Sequence, residues 1–348
     1  MSGPLHSGQG AGPKHHELEE LRASVAALRE QLDRGFGPRT RPRAADRPSP
    51  SRSGVLDSLG RGLRRLEGAS LLELYEGLRQ RISGGERAGI SYEIDEFGLD
   101  PEYLERAGGL LDFLYDRWWR VRAVGVSDIP EDEPVLFVAN RSGVLPYDGL
   151  MIAHAVAREH PTHRRPRFLI ADWLATLPFW QPLLTRIGGV RACQENAERL
   201  LASGEWVVAF PEGQKGALKR YHDRYRLQRF GRGGFVSLAV RRRAVVVPVA
   251  VIGGEEVHPV LYLPPLAPHL LGVPLTITPT FPLLGPLGLI PLPSQWRIRF
   301  GEPIRFDDVA SERADDPLYV NRTRERVRNT IQDLLDSEVR KRRSVWTD

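Results

Sequence analysis

From Trp118 onward, four short apolar stretches, "PVLFVAN", "PRFLIAD", "EWVVAF" and "AVVVPVAVIG", alternate with the helix-patterned segments "LPYDGLMIAHAVARE", "QENAERLLAS" and "RGGFVSLAVRRR". This alternation constrains the fold more than any other feature of the chain. It predicts an α/β domain with a mixed or parallel sheet flanked by helices. In open sheets of this kind, ligands bind beyond the carboxyl ends of the strands, so polar motifs there are the places to look for chemistry. Three such motifs stand out: "NRSGVLPYDG" after "LFVA", "RIGGVRA" (186–192), and "FPEGQKG" (210–216) after "WVVA".

The alternating region is expected to form a domain over 117–306. Ahead of it, 1–54 reads as a disordered arm. Within that arm Leu18, Leu21, Val25, Leu28 and Leu32 make a short heptad helix (18–32), followed by a Pro/Arg/Ser linker. Residues 55–116 read as a helical lead-in, with apolar residues at helical spacing in "SLLELYEGLRQRI" (70–82). A second helix, "DPEYLERAGGLLDFLYDRWWRV" (100–121), has Asp100 as its N-cap and Pro101 as its first residue. Residues 307–348 carry a C-terminal helix in "NRTRERVRNTIQDLLDSEVRKRR".

Charge and cysteine content narrow the partners. The chain has 49 Lys and Arg against 44 Asp and Glu, a mild excess that suits anionic ligands such as phosphates or lipid head groups. Cys193 is the single cysteine, so no intrachain disulfide can form and a cytoplasmic location is expected. The first residues lack the basic-then-apolar run of a secretory signal, so export is not expected. No His/Cys/Asp/Glu spacing suggests a metal site. The basic stretch 214–234 interleaves Tyr221, Tyr225 and Phe230, yet no nucleic-acid motif accompanies it. Anionic head groups or acyl-donor phosphates are the expected partners, not nucleic acid. Between Val257 and Trp296 there is no Asp, Glu, Lys or Arg, but prolines interrupt the segment throughout. A membrane-spanning helix needs about 20 continuous apolar residues. The segment therefore reads as an apolar surface that dips into a bilayer or walls an acyl-chain tunnel, or else as irregular core.

Four motifs in order, across 118–306, resemble the phospholipid and glycerol acyltransferases of the lysophosphatidate acyltransferase type. "NRSGVLPYD" stands where that family has Asn-His followed by Asp. "GGVRA", "FPEG" and "VVPVAV" (246–251) are similar to its second, third and fourth motifs. The resemblance implies transfer of an acyl group to a lysophospholipid or glycerol-phosphate-type hydroxyl at the cytoplasmic membrane surface. The co-substrate it implies is an acyl-CoA or acyl carrier protein thioester, with no bound cofactor.

It also implies roles for particular residues. Asp148 would orient the base, Arg191 would hold the acceptor phosphate, and Glu212 would position the acceptor. Gly213 would let backbone come close to it, and Lys215 would add a second cation. The departure is at Arg141, which stands at the family's histidine position, seven residues before Asp148 instead of five. A guanidinium stays protonated at neutral pH and cannot take a proton. Three readings follow: a silent relative that still binds lipid or acyl donor, an enzyme with another base, or one running on positioning and oxyanion stabilisation. Arg141 and Asp148 can also be a salt bridge that ties the loop together. Of the nearby histidines, His154 is expected to pack on the sheet, and His160 and His163 to be solvated loop residues.

Overall fold

The computed structural model describes residues 94–175, 180–263, 276–342 and 344. The expected arm (1–54), its helix over 18–32, the linker and the helix over 70–82 lie outside the described residues. In chain order, the helix α1 (Pro101–Phe113) is followed by the strands β1 (Arg122–Val124) and β2 (Val135–Ala139), the helix α2 (Tyr147–Glu159), and β3 (Arg167–Ile170). Next come α3 (Asp172–Ala175), α4 (Trp180–Arg186), β4 (Gly189–Arg191), α5 (Gln194–Ala202), β5 (Val207–Ala209) and α6 (Gly213–Ala217). The chain continues through α7 (Gly234–Arg242), β6 (Val245–Ile252), β7 (Arg297–Phe300) and α8 (Pro317–Lys341).

The strands form one mixed sheet in the order β1-β7-β6-β2-β5-β3-β4. The five from β6 to β4 run parallel; β7 is antiparallel to β6, and β1 is parallel to β7. Every residue of β2 and of β6 is buried, as expected of parallel strands covered on both faces. Side chains alternate between two cores. Val135, Phe137 and Ala139 face α1, α2 and the indoles of Trp119, Trp206 and Trp296. Leu136 and Val138 face α5, α7 and α8.

Pro248 sits inside β6, where a missing N–H would normally break the ladder. Here the partner strand lapses beside it. Pairing with β7 ends at Val249–Phe300, Gly301 N–H donates to the Pro248 carbonyl, and pairing resumes only at the Val246–Ile304 bridge.

The start expected for α1 and the start of α8, four residues before the expected "NRTRER", have a common cause. Asp100 accepts from Tyr103 N–H at α1, and Asp316 accepts from Leu318 and Tyr319 N–H at α8, each followed by a proline that needs no partner. His160 differs from expectation. It is fully buried, with Nδ1 at 2.8 Å from Thr162 Oγ1, Nε2 at 3.1 Å from the Ile129 carbonyl, and its ring edge-on to Trp206. The ring is covered by Trp206 and held by the Ile129 carbonyl, while His163 stays exposed. In the uncharged stretch, Leu283, Leu284, Leu287 and Ile290 are exposed around a 3-10 turn. No helix among the described residues is long and apolar enough to cross a membrane.

Candidate active site

The central strand β2 is flanked by β5 on one side and β6 on the other, so the chain changes direction across the sheet at this point. Their carboxyl ends gather the candidate site, as expected at such a switch. Asn140, the residue after β2, clamps it to β6: its amide donates to the Val251 carbonyl at 3.0 Å and accepts from Val251 N–H at 2.7 Å. Arg141 follows and turns inward.

Arg141 is 4% exposed. Its Nη1 donates to Asp148 Oδ1 at 3.1 Å and its Nη2 to the Val144 carbonyl at 3.3 Å. The guanidinium also lies over the Phe210 ring, 4.9 Å from the centroid. Asp148, in the first turn of α2, is wholly buried. Oδ1 also accepts from Gly149 N–H, and Oδ2 accepts from both the backbone N–H and the hydroxyl of Ser142. Four donors on one carboxylate hold it fixed in the first turn of the helix.

Glu212 joins this cradle from the turn after β5. Its Oε1 accepts from Arg141 N–H at 2.8 Å and its Oε2 from Gln228 N–H at 2.7 Å, so it braces two loops. Gly213 takes φ +58, and a Cβ there would meet nothing within 4 Å. Its use is therefore the left-handed turn itself. Close approach falls instead on Gly216, where a Cβ would lie 2.6 Å from that of Glu212 and 2.8 Å from that of Arg141.

Two members of the cluster were invisible to motif reading. Lys219 is buried, 2.8 Å from Glu255 Oε1 and 3.4 Å from Glu212 Oε2. Burial pulls its pKa down, but the two carboxylates outweigh that and raise it. Burial pushes the Glu255 carboxyl up to about 7 against the opposing pull of Lys219. The available signal was "GGEEV", two acids directly after a long apolar strand. Tyr225 and Phe230, interleaved with arginines in sequence, are core residues.

Arg141, Asp148 and Glu212 are thus brought together. Arg191 and Lys215 are exposed. Arg191 pairs with Asp172 at 2.8 Å on the surface. The following residues, Ala192 and Cys193, line a cavity of about 310 Å³ that also touches Arg141. Its walls are mainly apolar: Leu136, Leu169 and Ala209 from the sheet, Ala197 from α5 and Leu238 from α7.

A family model described as "Acyltransferase" matches residues 120–252. Uncharacterized proteins of Mycobacterium bovis and Mycobacterium tuberculosis are each 49% identical over 271 residues, covering 77% of this chain and 74% of theirs. One from Mycobacterium leprae is 46% identical, over 77% and 72%. Among solved structures, the 1-acyl-sn-glycerophosphate acyltransferase of Thermotoga maritima aligns at TM-score 0.45 and 18% identity, over 70% of this chain and 80% of that one. The matched span runs from just before β1 to the end of β6 and so contains the whole Arg141–Asp148–Glu212 cradle. Residues 120–252 are thus a domain of the acyltransferase family, and the chain is of one family with these mycobacterial proteins.

Proposed function

We propose that this acyltransferase moves a fatty acyl group from an acyl-CoA or acyl carrier protein thioester to a hydroxyl of a lysophospholipid or related glycerol phosphate. The observation that carries the reading is the convergence of Arg141, Asp148 and Glu212 at the carboxyl ends of β2 and β5, beside an apolar cavity. The cavity suits an acyl chain. Arg191 and Lys215 are the cations for the acceptor phosphate. Among the described residues Arg191 is held by an exposed pair, and its planar fork can exchange Asp172 for phosphate oxygens. The chain works as a peripheral protein on the cytoplasmic membrane surface. Leu283, 83% exposed, and Leu287, 67% exposed, enter the lipid, and the exposed Arg226 and Arg229 meet anionic head groups.

A second reading, a catalytically silent lipid-binding relative, is favoured by one observation: both oxygens of Asp148 are occupied by donors and Arg141 stands where a base belongs. One experiment separates the two. Purified protein is mixed with long-chain acyl-CoA and anionic vesicles, with and without lysophosphatidate, and free thiol is followed while the vesicles are floated. Thiol release only with lysophosphatidate, by protein that floats, is the expected result. Binding of lysophosphatidate without release supports the silent reading, and protein left wholly in the soluble fraction removes the membrane role.

A further inference from the structure

The acyl transfer proposed above needs a group that removes a proton, and Arg141 cannot supply it. Five histidines fall among the described residues. His154 is held between Asp112 and Arg165, and His160 between Thr162 and Ile129. His163 and His222 are exposed, bound to the Ala157 carbonyl and to Asp223. His258 is different. Its Nε2 is buried and has no hydrogen-bond partner among the described residues. A buried polar atom left this way is uncommon and calls for an explanation.

Its position supplies one. The segment after β6, Gly253–His258, lies beside residues that flank the cradle. Gly254 lies so close to Ser142 that a Cβ would fall 2.3 Å from its Oγ. Glu255 reaches Glu212 through Lys219. The imidazole of His258 stacks on Tyr147, the residue before Asp148, with centroids 6.0 Å apart and planes at 25°. The turn is also rigid. Glu256 is held by Arg342 through two bonds of 2.7 Å and by the Tyr225 hydroxyl at 2.6 Å. His258 follows two residues later on an anchored backbone, as a reacting group requires.

We propose that His258 is the proton acceptor of this site, doing from the loop after β6 what Arg141 cannot do at the end of β2. The inference rests on the acyltransferase reading. The acceptor oxygen attacks the thioester carbonyl as its proton passes to Nε2. The new C–O ester bond forms, the C–S bond breaks, and the proton moves from Nε2 to the departing thiolate. Arg141, fixed by Asp148, remains a permanent positive charge near the carbonyl oxygen as negative charge develops there. Burial draws the free imidazole down to about 4, so the ring is neutral and its lone pair available at neutral pH. An anionic acceptor bound beside it favours the imidazolium and strengthens the base when substrate is present.

The test uses the full chain with acyl-CoA and lysophosphatidate. His258→Asn and His258→Gln are expected to lower kcat by about 10²–10⁴-fold, with KM for the acceptor within about twofold and melting unchanged. A variant that keeps at least half the wild-type rate overturns the assignment and leaves the acyltransferase reading standing. A wild type that releases no thiol overturns both. If neither variant folds, the wild type is titrated by histidine-ring NMR with and without lysophosphatidate. The lowest-titrating ring is expected to move upward, and a ring indifferent to the lipid overturns the assignment.

Discussion

Two Arg–Asp pairs in this molecule have almost the same chemistry and opposite surroundings. Arg141–Asp148 spans 3.1 Å with side chains 5% and 0% exposed; Arg191–Asp172 spans 2.8 Å with side chains 60% and 64% exposed. The buried pair cannot exchange partners, because either charge left alone in the interior would be strongly penalised. The exposed pair is screened by water and contributes little to stability, so its arginine is available to a ligand. The same pair of residue types therefore does not mean the same surroundings. Burial fixes Arg141 in one place, and exposure leaves the Arg191–Asp172 pair open to water.

The comparison breaks first at Asp148. Asp148→Ala strands the Arg141 guanidinium and is expected to destabilise the fold by about 3–5 kcal/mol in urea unfolding. A loss below about 1 kcal/mol would show the buried pair to be no more structural than the exposed one. Next, Glu255 extends the buried network. Its folded pKa of about 7 stands above the usual 4.5, so the folded chain holds a proton that the unfolded chain releases between those values. The stability difference between wild type and Glu255→Gln should then shift against the wild type as pH rises through that window, by about 1–3 kcal/mol in total. A flat difference would mean that Lys219 keeps Glu255 ionised throughout. The smallest stability effect belongs to the exposed pair. Arg191→Ala should leave melting unchanged while weakening lysophosphatidate binding and sparing acyl-CoA binding. Equal loss for both ligands would remove the acceptor role of Arg191.

How much could be read from the chain varies by element. β2, β3, β5 and β6 were legible because each is a run of apolar residues between turn residues. β1, β4 and β7 were not: "RAV" and "GVR" each carry an arginine, and β7, "RIRF", alternates charged with apolar. Such strands exist because a neighbour pairs with them, and their own composition carries little signal. In the site, Arg141, Asp148 and Glu212 could be found because they sit in short motifs at strand ends. Lys219 and Glu255, 36 residues apart, are joined only when β6 crosses back beside β2. The burial of His160 was misread for a similar reason, since "EHPTHRRP" has the composition of a solvated loop.

The sequence by itself determined the class of fold, the ends of strands where chemistry gathers, and the acyltransferase-family domain, because periodicity and short motifs are local properties of the chain. It also determined that a guanidinium stands at position 141 ahead of Asp148, which follows from residue identity alone. Only the tertiary structure decided which charges are buried and which are open. Burial depends on what the sheet and its two helical layers bring over each residue, and no local pattern encodes that. For the same reason only the folded chain could set His258, more than a hundred residues after Arg141 in sequence, against Tyr147 at the start of α2.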